Sequence, residues 1–171
     1  MSQAVTEHRG SSPESLDLAV LTVSDTRTLQ TDTSGNLIVS LAEAARHRIR
    51  ERLIVRDEPE AMRPLLQAWS TSASIDAILV TGGTGISPRD QTFETVSALL
   101  TKPLPGYGEL FRMLSYVEIG PACMLSRAVG GLIGRVAILV MPGSRAAVEL
   151  AMAKIILPEL PHIVREARRG T

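Results

Sequence analysis

Three short, nearly continuous apolar runs constrain this chain most: Leu18-Ala19-Val20-Leu21-Thr22-Val23, Ala77-Ile78-Leu79-Val80 and Arg135-Val136-Ala137-Ile138-Leu139-Val140. A strand with one wet face alternates apolar and polar residues. One that is apolar at almost every position has both faces covered, as strands in parallel sheets do. Between these runs apolar residues recur with a helical period. Leu37, Ile38, Leu41, Ala45 and Ile49 form one face, with Ser34 expected as the N-cap. Met62, Leu65, Leu66 and Trp69 form another across 60–71. Pro64 is expected in the first turn of that helix, where a missing N–H loses no partner. Leu53-Ile54-Val55 reads as a short strand between the two helices.

The later part of the chain continues the pattern. A helix is expected over 92–100 with Val96, Leu99 and Leu100 inward, then a turn at Pro103-Leu104-Pro105-Gly106. A helix over 107–115 carries Leu110, Phe111 and Leu114. Ser126–Gly130 and Arg135–Val140 are expected to pair antiparallel across Gly131-Leu132-Ile133-Gly134. Pro142-Gly143-Ser144 opens a helix that runs to Ile156, which Pro158 and Pro161 are expected to break before a short basic helix. Strand–helix alternation implies right-handed crossovers. The fold class is therefore α/β: three layers, a mostly parallel sheet with helices on both faces, and a small antiparallel addition. A length of 171 residues suits one domain, expected over 16–169. Residues 1–15, polar with Gly10-Ser11-Ser12-Pro13, read as a flexible arm.

Charge and composition exclude several function classes. Eighteen basic and eighteen acidic residues give a formal net charge of zero, and one Trp, two Tyr and two Phe leave little for stacking bases. Nucleic acid is not an expected partner. Cys123, the single cysteine, permits no intrachain disulfide and reads as a small packed thiol. No apolar run approaches the roughly 18 residues of a membrane span, so a cytoplasmic location is expected. His8, His47 and His162 are scattered and read as surface residues. Tyr107, Phe111, Met113 and Tyr116 could be core or a subunit contact, with core the default.

In open parallel sheets ligands bind beyond the carboxyl ends of the strands. Ser24-Asp25, Asp57, the loop Thr81–Asp90 and Met141–Ser144 all fall there. The loop reads Thr81-Gly82-Gly83-Thr84-Gly85-Ile86-Ser87-Pro88-Arg89-Asp90. Its glycines let backbone N–H groups converge on an anion, Thr84 and Ser87 add hydroxyls, and Arg89 offers a fork suited to phosphate. It lacks the Gly-Lys-Ser/Thr of a Walker A loop. A plain tight turn remains the alternative. Asp57 and Asp90 beside an anion site suggest a bridging divalent cation, because Mg²⁺ sits between one or two carboxylates and substrate phosphates. Otherwise Asp90 is a helix cap and Asp57 a solvated loop charge. Asp25 and Asp32 divide in the same way between ligand contact and loop capping. Pro142-Gly143-Ser144-Arg145 is either a second anion-compatible helix start or an ordinary turn.

Taken together these segments resemble the MoaB/MogA family of molybdenum-cofactor biosynthesis proteins. The matching pieces are Leu21-Thr22-Val23-Ser24-Asp25, Asp32-Thr33-Ser34-Gly35, Thr81-Gly82-Gly83-Thr84-Gly85, Arg89-Asp90, Pro105-Gly106-Tyr107-Gly108-Glu109, Ser126-Arg127 and Met141-Pro142-Gly143-Ser144. They fall in family order over about residues 17–160. Phe111-Arg112-Met113-Leu114-Ser115 and Glu118-Ile119-Gly120 look like the MoaB branch. The resemblance implies the MogA-like molybdopterin-binding fold and a homotrimer or homohexamer. It also implies Mg²⁺-dependent transfer of AMP from ATP to the terminal phosphate of molybdopterin. In that scheme Thr81, Gly82, Gly83, Thr84, Gly85 and Ser87 cradle the phosphate, and Asp57 and Asp90 are the two functional aspartates that position metal and attacking phosphate. Arg89, Ser126, Pro142, Gly143 and Ser144 complete the substrate contacts. Ser24, Asp25, Asp32, Ser34 and Gly35 form the rest of the rim. Lysine is scarce there, so Mg²⁺ with Arg89, Arg127 or Arg145 would neutralise the phosphates. One departure stands out: the family's strong adenylyltransferases often carry Pro-Gly-Asn-Pro where this chain has Pro142-Gly143-Ser144-Arg145. A non-catalytic molybdopterin carrier and an oligomerisation scaffold are the rival expectations.

Overall fold

The computed structural model describes residues 13–169. The expected arm lies outside the described residues apart from 13–15, and so does His8. The strands are β1 (Asp17–Val23), β2 (Arg48–Val55), β3 (Ala77–Thr81), β4 (Lys102–Pro103), β5 (Val129–Ile133) and β6 (Val136–Met141). They form one sheet in the order β2-β1-β3-β6-β5-β4. The first four in that order run parallel, while β5 is antiparallel to β6 and β4 to β5. The helices are α1 (Thr33–Ala44), α2 (Pro59–Thr71), α3 (Thr92–Leu99), α4 (Pro105–Ile119), α5 (Arg145–Ala151) and α6 (Leu157–Arg168). None of them is long and apolar enough to cross a membrane.

Side chains alternate between sheet faces, so each apolar run feeds two cores. Leu18, Val20, Leu79 and Leu139 pack with α1, α4, α5 and α6. Leu21, Ile78, Val80 and Ile138 pack with Met62, Leu66 and Trp69 of α2 and Val96 of α3. Each such fully buried side chain stabilises the fold by about 1.5–3 kcal/mol. This is the three-layer α/β arrangement that the runs demand.

Several element boundaries differ from expectation, each for a local reason. Asp32, not Ser34, caps α1: its Oδ1 accepts the Gly35 N–H at 2.8 Å, while the Ser34 hydroxyl donates to the Gly143 carbonyl at 2.7 Å. Arg46 adopts φ 66° just past the C-cap Ala45, which stops the helix, and β2 begins at Arg48 and takes Ile49 with it. As an edge strand β2 tolerates Arg48, Arg50 and Glu51. Arg48 and Arg50 both donate to Asp17, which lowers that carboxyl to about 2. Pro64 sits inside α2 rather than in its first turn, on an exposed face where water can reach the Glu60 carbonyl it leaves unpaired.

The α4 helix starts at Pro105, so Gly106 is helical and no separate turn precedes it. Tyr107 and Phe111 enter the core, but Met113 and Tyr116 are 61% and 59% exposed and Leu110 turns outward with them. The β5–β6 register leaves only Gly134-Arg135 as the turn, with Gly134 supplying the left-handed φ of 61°. Pro158 and Pro161 do not break the last helix. A π-type turn over Met152–Ile156 joins α5 to α6, and the i→i−5 bond from Leu157 to Met152 absorbs the mismatch that proline imposes. His47, expected at the surface, is 5% exposed, and its Nδ1 accepts the Leu16 N–H. Burial lowers its pKa. His162 is half-buried beside Glu159 and Glu166, and Cys123 is buried.

Candidate functional site

The strands β1, β3 and β6 end side by side at Val23, Thr81 and Met141, and the chain segments that leave them share one rim. Gly82 and Gly83 leave β3 with φ of 97° and 63°, a conformation other residues adopt at a cost. A Cβ on Gly82 would strike the Val23 carbonyl, and one on Gly83 would strike the carboxylate of Asp57 and the hydroxyl of Thr92. A Cβ on Gly85 would sit 2.6 Å from Asp90 Oδ2. The two aspartates thus rest against alternate glycines of the same loop. Among the described residues, none accepts from the backbone N–H of Gly83, Thr84, Gly85 or Ile86. Successive amides without a protein acceptor at a glycine bend are the groups that anion-binding concavities use.

Asp57 is 6% exposed, and its Oδ1 accepts the Gln91 N–H at 3.0 Å. Burial raises its pKa, and the negative charges of Asp90 and Asp25 add to that, against the Gln91 hydrogen bond and Arg89. Asp90 Oδ2 accepts the Ser87 N–H at 3.0 Å and so closes the 87–90 turn. The charge of Asp90 disfavours ionisation of Asp57, and a cation between the two would relieve it. No group of three or more His, Cys, Asp or Glu residues suited to a metal occurs among the described residues. A Mg²⁺ between Asp57 and Asp90 would take its other ligands from phosphate and water, which is its usual habit.

The other expected site residues have these surroundings. Thr81 donates to the Pro142 carbonyl at 3.2 Å, and a Cβ on Gly143 would lie 3.2 Å from Gly82 Cα, so the 142–144 turn is stitched under the loop. Ser144 caps α5 by accepting the Ala147 N–H, and Arg145, the first residue of that helix, is exposed. Ser24 accepts from the amides of Thr26 and Arg27. Asp32 is buried beneath the rim, where it bonds Thr22, Gly35 and Arg52, and Gly35 leaves room for its carboxylate. Thr84 is buried, whereas Ser87 is exposed and its hydroxyl accepts the Arg89 N–H. Arg89 turns its fork to Asp25, with two bonds of 2.8 Å, and to Glu58. That pairing lowers the Asp25 pKa and raises that of Arg89. Ser126 donates its N–H to the Cys123 carbonyl, and its own carbonyl accepts from Arg112 at 3.4 Å.

Sequence reasoning missed two features. Arg127 is not poised free over the phosphates: it donates to the carbonyls of Thr84 and Asp90 and to Glu94, and lies over the Phe93 ring. A cleft of about 420 Å³ beside Asp25 is lined by Arg27, Arg52 and Arg56 together with Leu29 and Leu53. The spacing Arg52-x-x-x-Arg56 at the end of β2 was its visible signal. A larger cavity of about 640 Å³, lined by Thr101, Lys102, His162 and Glu166, lies at the other end of β6 by Gly134.

Comparison with known proteins finds relatives along nearly the whole chain. Residues 19–162 match the family model described as "Probable molybdopterin binding domain". The chain is 49% identical to a molybdenum cofactor biosynthesis protein B from Bacillus cereus, over 97% of this chain and 99% of the relative. Among solved structures, a molybdenum cofactor biosynthesis protein B superposes with a TM-score of 0.89 at 49% identity, covering 93% of this chain and 99% of that one. The tungsten cofactor synthesizing protein MoaB from Pyrococcus furiosus follows with a TM-score of 0.79 at 34% identity, covering 91% and 99%.

Proposed function

Because this chain belongs to the MoaB/MogA family of molybdenum-cofactor biosynthesis proteins, we propose that it holds molybdopterin by its terminal phosphate and adenylylates that phosphate from ATP. The observation that carries the reading is the run of four free amides, Gly83 to Ile86, directly beside Asp57 and Asp90. Those amides fit a phosphate dianion, and Gly83 and Gly85 add no side-chain bulk.

In the reaction an oxygen of the pterin phosphate attacks the α-phosphorus of ATP. A P–O–P anhydride forms, and pyrophosphate leaves with the electron pair of the broken bond. Such a transfer between polyanions requires alignment and charge neutralisation rather than a protein nucleophile. Asp57 and Asp90 would hold Mg²⁺, which supplies that neutralisation when bound. Arg27, Arg52 and Arg56 offer positive charge to the ATP polyphosphate from the adjoining cleft. A homotrimer or homohexamer, assembled through the exposed apolar surface of α4, completes the reading.

Purified protein incubated with molybdopterin, ATP and Mg²⁺ should release pyrophosphate and form adenylylated molybdopterin. Asp90→Asn should cut the rate by about 10²-fold or more with the fold intact. Equal turnover by that variant would remove the catalytic assignment. The carrier reading draws support from Arg89, whose fork is already held by Asp25 and Glu58. Calorimetry separates the two, since a carrier binds the pterin but neither binds nor turns over Mg·ATP.

A further inference from the structure

We propose that Arg127 is a positioning residue, which turns two peptide planes of the loop so that the Gln91 amide holds Asp57 and the Gly85 amide faces the anion. The inference rests on the phosphate reading above for the nature of the ligand, but its geometry is independent of any ligand.

The side chain of Arg127 is 22% exposed and reaches three separate acceptors. Its Nε donates to the Thr84 carbonyl at 3.1 Å and its Nη2 to the Asp90 carbonyl at 3.2 Å. Its Nη1 meets Glu94, and the guanidinium carbon lies 5.2 Å over the centre of the Phe93 ring. In a trans peptide the carbonyl and the following N–H point in opposite directions. Drawing the Thr84 carbonyl toward Arg127 therefore sends the Gly85 N–H the other way, where it meets no acceptor among the described residues. Drawing the Asp90 carbonyl the same way sends out the Gln91 N–H, which lands on Asp57 Oδ1 at 3.0 Å.

One unbroken path results: guanidinium, Asp90 carbonyl, Gln91 N–H, Asp57 carboxylate. Hydrogen bonds in such a chain polarise one another, so the Arg127 bond to the Asp90 carbonyl strengthens the bond from the Gln91 N–H to Asp57. Glu94 and Phe93 hold the guanidinium plane in place. Three elements distant in sequence are thereby fixed relative to one another, and the fork is spent on loop carbonyls instead of on substrate. Lysine could not replace it, because one ammonium does not span both carbonyls in a planar fork.

The test uses isotope-labelled full-length protein without ligand, comparing the parent with Arg127→Lys and Arg127→Ala. The Gln91 amide should exchange roughly five- to tenfold faster in both variants, the equivalent of one net hydrogen bond. The Leu79 amide in the sheet should exchange at an unchanged rate. On titration with inorganic phosphate, the Gly85 amide signal should move in the parent and much less in either variant. Gln91 exchange unchanged in Arg127→Lys would overturn the proposal, because charge alone would then suffice. Faster exchange at Leu79 as well as Gln91 would also overturn it, since Arg127 would then act only on global stability. Should the amides respond as expected while the parent fails to bind molybdopterin, the positioning role stands and the ligand reading falls.

Discussion

At Gly83 three demands meet in a residue with no side chain. The backbone must turn left-handed at φ 63°, its amide must stay open if it is to hold the proposed phosphate, and the space where a Cβ would go is filled by the Asp57 carboxylate and the Thr92 hydroxyl. Gly83→Ala should therefore cost about 1–2 kcal/mol in backbone strain alone. Displacement of Asp57 adds to that. We expect a melting temperature lower by several degrees, together with at least a tenfold loss of molybdopterin affinity, read by thermal unfolding and calorimetry. Near-parental values for both would mean that the loop can re-form around a side chain, and the cradle geometry would be wrong. At this scale some of the site was legible and some was not. Asp57 and Asp90 were reachable because each closes a strand or loop whose position the apolar runs define. Arg127 was visible only as a charged residue. Its acceptors lie 33 to 43 positions away, and no local pattern announces a bond over that span. Arg89 looked free for phosphate because its partners, Asp25 and Glu58, come from two other strand ends.

Among the elements, buried strands were the easiest to read, since a run such as Leu18–Val23 has no other stable use. Edges and joints were harder. The first half of β2 hid behind its arginines, because an edge strand keeps only part of its surface dry. The π-type turn let two prolines pass that otherwise signal a stop. The junction of α1 and β2 escaped as well, and it makes the fold sensitive to acid. His47 is neutral there and accepts the Leu16 N–H, which leads into β1. Its folded pKa lies below the ordinary value, so the unfolded chain takes up the proton first. The contribution to stability is complete above about pH 6.5 and is lost as pH falls below that toward the lower folded value. Urea midpoints measured from about pH 8 to about pH 5 should drop for the parent and less steeply for His47→Gln. Parallel slopes would assign the acid sensitivity to other groups.

For the whole molecule the main unmet requirement is cover for an apolar surface. Met113, Tyr116, Val117, Ile119, Met124 and Leu125 are each more than half exposed along the end of α4 and the 3₁₀ turn Gly120–Leu125. Patches of that kind on a folded domain mark association surfaces. Sedimentation should find the parent as a trimer or hexamer, and Val117→Glu with Met124→Glu should yield a smaller species that melts at lower temperature. A monomeric parent would refute this. The two borders of the sheet point elsewhere. One border carries guanidinium groups at Arg48 and Arg50, and the other ends after two residues in Pro103, which has no N–H to give. Neither offers a template onto which a stranger's backbone could zip, so crowding should not recruit these chains into cross-β fibrils through their flanks.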